Sequence, residues 1–253
     1  IFAFNILGFK TPYDGRLVGF MGDQLKIGHW YICFSLIIIA KYFDQKKMFY
    51  FLLLLSIFVS FIIGERANFI RLFLALSFLL IIARLLNFKK IILLAFSIVT
   101  LFYLALITEK SERNYVKNRY FDQINLVLKA TSIREINDKN SYTPMYFNAY
   151  DLFEKNKILG VGPGFYLEKS HENFRLNKKI NGYSILPNTH PHQFHFEILA
   201  TLGLPGYLFI ITFLLYFLVK SFRFYINQKK YITLSSSLFI LIFLIPLLPT
   251  GSF

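Results

Sequence analysis

Three imidazoles fall within six residues, His190, His192 and His195, and the run His190-Pro191-His192-Gln193 leads into an apolar stretch that begins at Phe194. An imidazole changes charge near neutral pH, so at the mouth of an apolar stretch it suits proton transfer better than packing. His192, behind Pro191 and beside the Gln193 amide, is the candidate general base, with His190 and Gln193 as candidate substrate ligands. The plain alternative is a helix-start residue satisfied by backbone. Zinc is the other rival, but the spacing does not put all three imidazoles on one helical face and Glu197 is the one acidic residue close by, so no metal site is expected.

Arginines supply the second kind of chemistry. Arg66 sits in the short segment Gly64-Glu65-Arg66-Ala67-Asn68 between two apolar stretches, and Arg16 sits among glycines in Gly15-Arg16-Leu17-Val18-Gly19. Arg119, near Arg113, lies on an amphipathic stretch where a phospholipid-facing role competes with substrate binding. Arg71, one turn beyond Arg66, reads as an anchor that snorkels to the headgroups. A guanidinium is a planar fork that grips phosphate oxygens at two points and stays charged. Such cations beside a histidine suit one reaction class, in which they hold a lipid-linked pyrophosphate leaving group while the histidine takes the proton of an attacking sugar hydroxyl. That chemistry requires no cofactor.

The elements that must position these groups are membrane helices. Of 253 residues 55% are hydrophobic and 31 are Phe, and the apolar residues gather in blocks at 29–43, 48–63, 69–86, 91–107, 194–219 and 232–248. A hydrocarbon core of roughly 30 Å needs about 17–25 residues, so the blocks predict about six spans. The fold class expected is an all-α polytopic transmembrane helical bundle with a large helical loop on its outward side. Connections with Lys41, Lys46 and Lys47, with Arg84, Lys89 and Lys90, and with Lys220, Arg223, Lys229 and Lys230 alternate along the chain and are assigned to the cytoplasm. Residues 1–28, 64–68, 108–189 and 249–253 then face outward, and the long segment does so despite its basic residues because long loops translocate regardless of charge.

The division expected is 1–107 as an N-terminal membrane part with four spans, 108–193 as an outward loop region, which the resemblance given below makes periplasmic, and 194–253 as a C-terminal membrane part with two spans. Within the loop region, Val116, Tyr120, Ile124, Val127 and Leu128 recur at helical spacing, residues 133–141 read as polar loop, and Thr143-Pro144 starts a helix that runs to about Asn156. Gly160-Val161-Gly162-Pro163-Gly164 is not a dinucleotide fingerprint, because Pro163 interrupts it and Phe165-Tyr166 follow; it reads as a turn with close backbone approach. A start at Ile1 reads as a fragment. The one cysteine, Cys33, excludes an internal disulfide. Net charge is +14, yet the basic residues follow topology instead of gathering on a soluble module, so nucleic acid is not expected as a partner.

Glu65-Arg66-Ala67, the segment from Leu152 to Phe165, His192-Gln193, Glu197-Ile198-Leu199 and Leu202-Gly203-Leu204-Pro205-Gly206, with the early Arg16-Leu17-Val18-Gly19, resemble in order the O-antigen ligase and O-antigen polymerase superfamily. The resemblance implies a multi-pass protein of the bacterial inner membrane with its active site facing the periplasm. It implies transfer of a glycan from an undecaprenyl pyrophosphate donor, to lipid A core in a ligase or onto the carrier-bound glycan in a polymerase. It implies His192 as base and Arg66 and Arg16 as pocket arginines, with the lipid-linked donor, the acceptor and membrane lipids as partners. Many members carry an arginine just before the helix at 145–156, where this chain has Ser141-Tyr142-Thr143, so Arg134 or Arg119 is expected to replace it. The rivals from other classes are a transporter or flippase of lipid-linked sugars, which would show internal repeats absent here, and a non-catalytic assembly partner.

Overall fold

The structure, a computed structural model, describes residues 27–63, 65–85, 100, 128–140 and 142–246. It is helical almost throughout. In chain order the described elements are α1 (Ile27–Lys41), α2 (Lys46–Ile63), α3 (Arg66–Ile82), α4 (Ile133–Lys139), α5 (Thr143–Lys155), α6 (Tyr166–Leu176), a hairpin of β1 (Lys179–Ile180) and β2 (Tyr183–Ser184), α7 (Phe194–Gln228) and α8 (Tyr231–Phe243). They divide into two compact units, one taking in α1 to α3 with Lys220–Ile242, the other taking in residues up to Val219 from α4 onward and those after Ile242.

In the first unit the apolar residues recur every three or four positions, which puts them on one face of each helix. Ile32, Leu36 and Ile39 of α1, Phe49, Leu53 and Ile57 of α2, Leu72, Ala75, Leu76 and Leu79 of α3, and Leu234, Leu238 and Ile242 of α8 are buried. The opposite faces are apolar too, with Trp30, Phe34, Ile38, Phe51, Leu54, Phe58 and Ile70 exposed. Helices that are hydrophobic all round belong in the core of a larger assembly or in a membrane. The predicted blocks at 29–43, 48–63 and 69–86 thus coincide with α1, α2 and α3, whereas the block at 91–107 and the amphipathic stretch from Val116 lie outside the described residues apart from Thr100 and Leu128.

The second unit is more polar. α4 replaces the loop expected at 133–141: Ser132 Oγ accepts the Glu135 N–H at 3.2 Å, while Glu135 Oε2 accepts the Thr131 N–H at 3.0 Å and the Thr131 hydroxyl at 3.1 Å. This Ser-x-x-Glu cap satisfies donors that would otherwise be lost at the helix start. Hydrogen bonds from Lys139 and Thr131 hold the Glu135 carboxyl down at about 2. α5 starts at Thr143, one residue earlier than Thr143 as cap would place it, with Tyr142 as cap and Pro144 in the first turn. β1 and β2 pair antiparallel through Asn181 (φ 50°) and Gly182 (φ 83°), the two left-handed residues that a tight Asn-Gly hairpin turn needs.

Among the described residues one helix, α7, is long and apolar enough to cross a membrane by length and composition. It is not one straight span from Phe194, because Gly203 (φ 68°, ψ −172°) breaks it and Pro205 opens the first turn of its second half. The half before the break buries Ile198 and Ala200. The half after it exposes Leu208, Phe209, Phe213, Tyr216, Phe217 and Val219.

Candidate functional site

The second unit gathers His190, His192 and His195. A buried polar network first fixes the segment that carries them. Asn148 of α5 donates through Nδ2 to the Ser170 hydroxyl (3.0 Å), the Ser170 carbonyl (3.2 Å) and the Leu186 carbonyl (3.0 Å), and its Oδ1 accepts from Asn173 Nδ2 at 2.8 Å. Asn148 and Ser170 are fully buried. Asn173 also donates to Asp151 at 2.9 Å, and Lys155 bridges Asp151 (2.6 Å) and Asn173 (2.8 Å). Asn188 then ties this network to the histidines: its N–H donates to Ser170 Oγ at 3.2 Å, and its Nδ2 donates to the His190 carbonyl. Burial pushes the Tyr166 phenol well above its usual range, with the Glu197 charge adding to the effect against a hydrogen bond from Ser170. Tyr166 therefore stays a neutral hydroxyl, which donates to Asn188 Oδ1 at 3.4 Å.

Buried polar groups are costly to orphan, about 1–3 kcal/mol each. Asn148→Leu keeps the branched outline of the side chain, at a larger volume, but strips the Leu186 carbonyl and the Asn173 amide of a partner. Its expected result is a melting point in detergent lowered by the equivalent of about 1–3 kcal/mol, with faster proteolysis between Asn177 and Thr189. Unchanged melting and cleavage would show that the network does not hold the segment.

On this footing His190 and His192 meet ring to ring. His190 Nε2 lies 3.0 Å from His192 Nδ1, and the Thr189 hydroxyl lies 2.9 Å from His190 Nδ1. The Tyr142 ring meets His192 edge-on with centroids 5.5 Å apart. His192 itself is left-handed at φ 54°, a conformation that costs a non-glycine residue on the order of 1–3 kcal/mol and clusters at functional sites. Gln193 comes next, buried, and its Oε1 accepts the Phe196 N–H at 2.8 Å. It caps α7. His195 is directed elsewhere: the Leu244 carbonyl, 3.0 Å from Nε2, can only accept, so Nε2 carries a proton, and Nδ1 meets the Tyr207 hydroxyl at 2.9 Å.

The glycine motifs weld the break in α7 to the turn after α5. Where Gly203 interrupts the helix, the freed Ala200 and Thr201 carbonyls accept the N–H groups of Val161 (2.8 Å) and Gly162 (3.0 Å), and the Leu204 N–H donates to the Lys157 carbonyl at 2.7 Å. A Cβ on Gly160 would stand 2.6 Å from the Leu202 nitrogen, and one on Gly203 would run into the Ile158 carbonyl. The close backbone approach expected of Gly160 to Gly164 is present, and its partner is Leu202-Gly203-Leu204.

Compared with known families, residues 49–211 match a model described as O-antigen ligase, a stretch that takes in both the histidine pair and the welded glycine motifs. The chain belongs to the O-antigen ligase family. No curated protein matches it. The O-antigen ligase family is membrane-associated and carries glycan transfer of the ligase or polymerase type. Its matched stretch includes Arg66, Arg119, His190, His192 and Gln193 and leaves Arg16 outside. Both Arg16 and Arg119 lie outside the described residues.

In the first unit Arg66 is the first residue of α3, not part of a segment between the apolar stretches, with Glu65 as its cap. Arg71 is not a snorkelling anchor: it is fully buried, and its Nη1 donates to Asn68 Oδ1 at 3.1 Å. Asn68 Nδ2 in turn donates to the Glu65 carboxylate and lies 3.5 Å from His29 Nδ1. Gly28 makes this possible, since a Cβ there would collide with both Asn68 and Glu65. The polar cluster thus fixes the turn of helix that presents Arg66. Arg134, the proposed stand-in for the missing loop arginine, spends its Nε on the Gly182 carbonyl at 3.1 Å and props the hairpin.

Proposed function

We propose that the chain transfers a glycan from undecaprenyl pyrophosphate to a sugar hydroxyl of lipid A core, at the periplasmic face of the bacterial inner membrane, without a metal. The observation that carries this reading is the His190–His192 pair, held by Asn188 and Tyr142 immediately before a membrane-length helix. In this reading the chain crosses the membrane about six times, and 108–193 is the periplasmic region between two membrane parts, 1–107 and 194–253.

The acceptor hydroxyl gives its proton to His192 Nε2 as its oxygen bonds to the anomeric carbon, and the bond from that carbon to the pyrophosphate oxygen breaks. For Nε2 to hold a lone pair, the proton of neutral His192 must reside on Nδ1 and donate to His190 Nε2; His190 Nδ1–H then donates to the Thr189 hydroxyl. His190 thereby serves as an orienting partner, and Gln193 serves the site as the cap that starts α7. Arg66, with Arg16 and Arg119, neutralises the pyrophosphate. A cation at the first position of a helix faces the positive end of its dipole, an arrangement disfavoured by about 0.3–1 kcal/mol that a bound anion relieves.

The test is a purified chain in proteoliposomes supplied with undecaprenyl-pyrophosphate-linked glycan and lipid A core, with no gradient and no partner protein. Glycan joined to lipid A core is the expected product. Glycan lengthened on the carrier makes the chain a polymerase, with the same donor and base. No product from either acceptor removes the transfer reading. In the same assay Arg66→Lys is expected to lower kcat/KM for the donor about tenfold or more, since an ammonium forfeits one charge-assisted hydrogen bond worth about 1.5–3 kcal/mol.

A further inference from the structure

The turn after α5 presents large apolar side chains where a loop tip would ordinarily be polar. Ile158 is 72% and Leu159 81% exposed, and Phe165 beyond them is exposed as well. The turn is not free to fold these residues away. Lys157, Val161 and Gly162 are bonded through their backbones to Leu204, Ala200 and Thr201, so the turn moves with the break at Gly203 from which the apolar half of α7 starts. That half exposes Leu204, Leu208 and Phe209 from its start. Beside the apolar pair, Lys157 pairs with Glu154 at 3.0 Å and both side chains are exposed, which places charge at the edge of the greasy surface.

We propose that Ile158, Leu159 and Phe165 form a membrane seat, inserted at the headgroup boundary of the leaflet in which α7 begins its crossing. The inference rests on reading α7 beyond Gly203 as a span. The partner is the lipid surface because the apolar turn is continuous, through three backbone hydrogen bonds, with a helix of membrane length. Exposed aliphatic and aromatic side chains flanked by a lysine are what an interfacial anchor needs, with the apolar part among acyl chains and the ammonium at the headgroups. The seat has a functional consequence. His195 hydrogen-bonds Tyr207, in the first turn after the break, so the segment starting at His192 is tied to the same depth. A pyrophosphate carried on a polyprenyl chain meets that segment at headgroup level without leaving the bilayer.

The chain's one tryptophan, Trp30, makes fluorescence a direct reporter. In a Trp30→Phe background, Leu159→Trp and Phe209→Trp are each placed in proteoliposomes containing lipids brominated either near the headgroup or deep in the chain, and iodide is added outside. The expected result is that Leu159→Trp loses most of its emission to the shallow bromines and little to iodide, while Phe209→Trp, about 7.5 Å along the helix from Leu204 at 1.5 Å per residue, is quenched more by the deep ones. Iodide quenching of Leu159→Trp with no bromine quenching overturns the seat while leaving the span intact, provided Phe209→Trp responds to bromine. Protection of Leu159→Trp from both quenchers also overturns it, since protein then covers the turn. Failure of both reporters to sense bromine overturns the span and the seat together.

Discussion

Replacing His192 with glutamine is expected to lower the rate of glycan transfer by about 10²–10⁴-fold, the range that a positioned general base contributes, while the protein still reaches the membrane and melts within a degree or two of the parent. Glutamine keeps a polar side chain beside Tyr142 and can hydrogen-bond His190, but it has no nitrogen that takes a proton. His190→Phe separates orientation from proton transfer. It keeps a ring against His192 and removes the 3.0 Å partner of Nδ1, so His192 spends part of its time in the tautomer whose Nε2 already bears a proton. Because that defect acts only through the base, kcat falls to a value between those of the parent and the His192 variant while KM for the donor stays put. A parental rate from His192→Gln in the reconstituted assay removes the catalytic assignment. A His190→Phe variant whose KM rises with kcat unchanged would make His190 a substrate ligand and not an orienting partner.

What the sequence told of this site depended on the range over which each signal acts. Helices α1 to α3 were legible because spacing of apolar residues along one segment is enough to define a buried face, and Ile32, Leu36 and Ile39 illustrate it. The glycine cluster was legible as a turn with close approach, because only glycine takes a left-handed conformation without strain, and Gly160 and Gly162 both sit there. Its partner was not legible, since the carbonyls of Ala200 and Thr201 become available only when Gly203 breaks α7. Two local signals were present and unread: Ser132 with Glu135, which caps α4, and Asn181-Gly182, which turns the hairpin. Arg71 misled for a different reason. An arginine near the end of an apolar helix snorkels when headgroups are its nearest polar partner, but Asn68, three residues earlier on the same face, reaches it first. No local pattern announces Asn148, Ser170, Asn173 or Asn188, whose hydrogen bonds to one another and to Leu186 span 18 to 38 positions in the chain. Such residues are ordinary polar surface by composition, and only the fold makes them buried supports of the histidines.

Gly203→Ala is the substitution expected to damage the fold most. At φ 68° and ψ −172° the residue occupies a region that is essentially glycine's own, where a Cβ costs on the order of 1–3 kcal/mol before any neighbour is considered. Here the neighbour is backbone: the Cβ would run into the Ile158 carbonyl and stand 2.8 Å from the Lys157 oxygen, neither of which can swing away as a side chain could. Relief requires the turn to retreat, and retreat breaks the three hydrogen bonds that weld it, each worth about 0.5–1.5 kcal/mol. The sum is several kcal/mol against a total stability of about 5–15 kcal/mol, enough to cut yield and lower the melting point sharply. Gly164→Ala supplies the comparison. Gly164 is also left-handed, at φ 84°, but nothing stands within 4 Å of the Cβ position, so alanine there carries strain without collision. If the weld holds the start of the apolar helix in place, Gly203→Ala must lose far more melting temperature than Gly164→Ala, and it must lose glycan transfer as well, because the same break precedes Tyr207, to which His195 is bonded. Equal losses for the two variants would mean that backbone strain accounts for the whole effect and that the weld contributes nothing to the site.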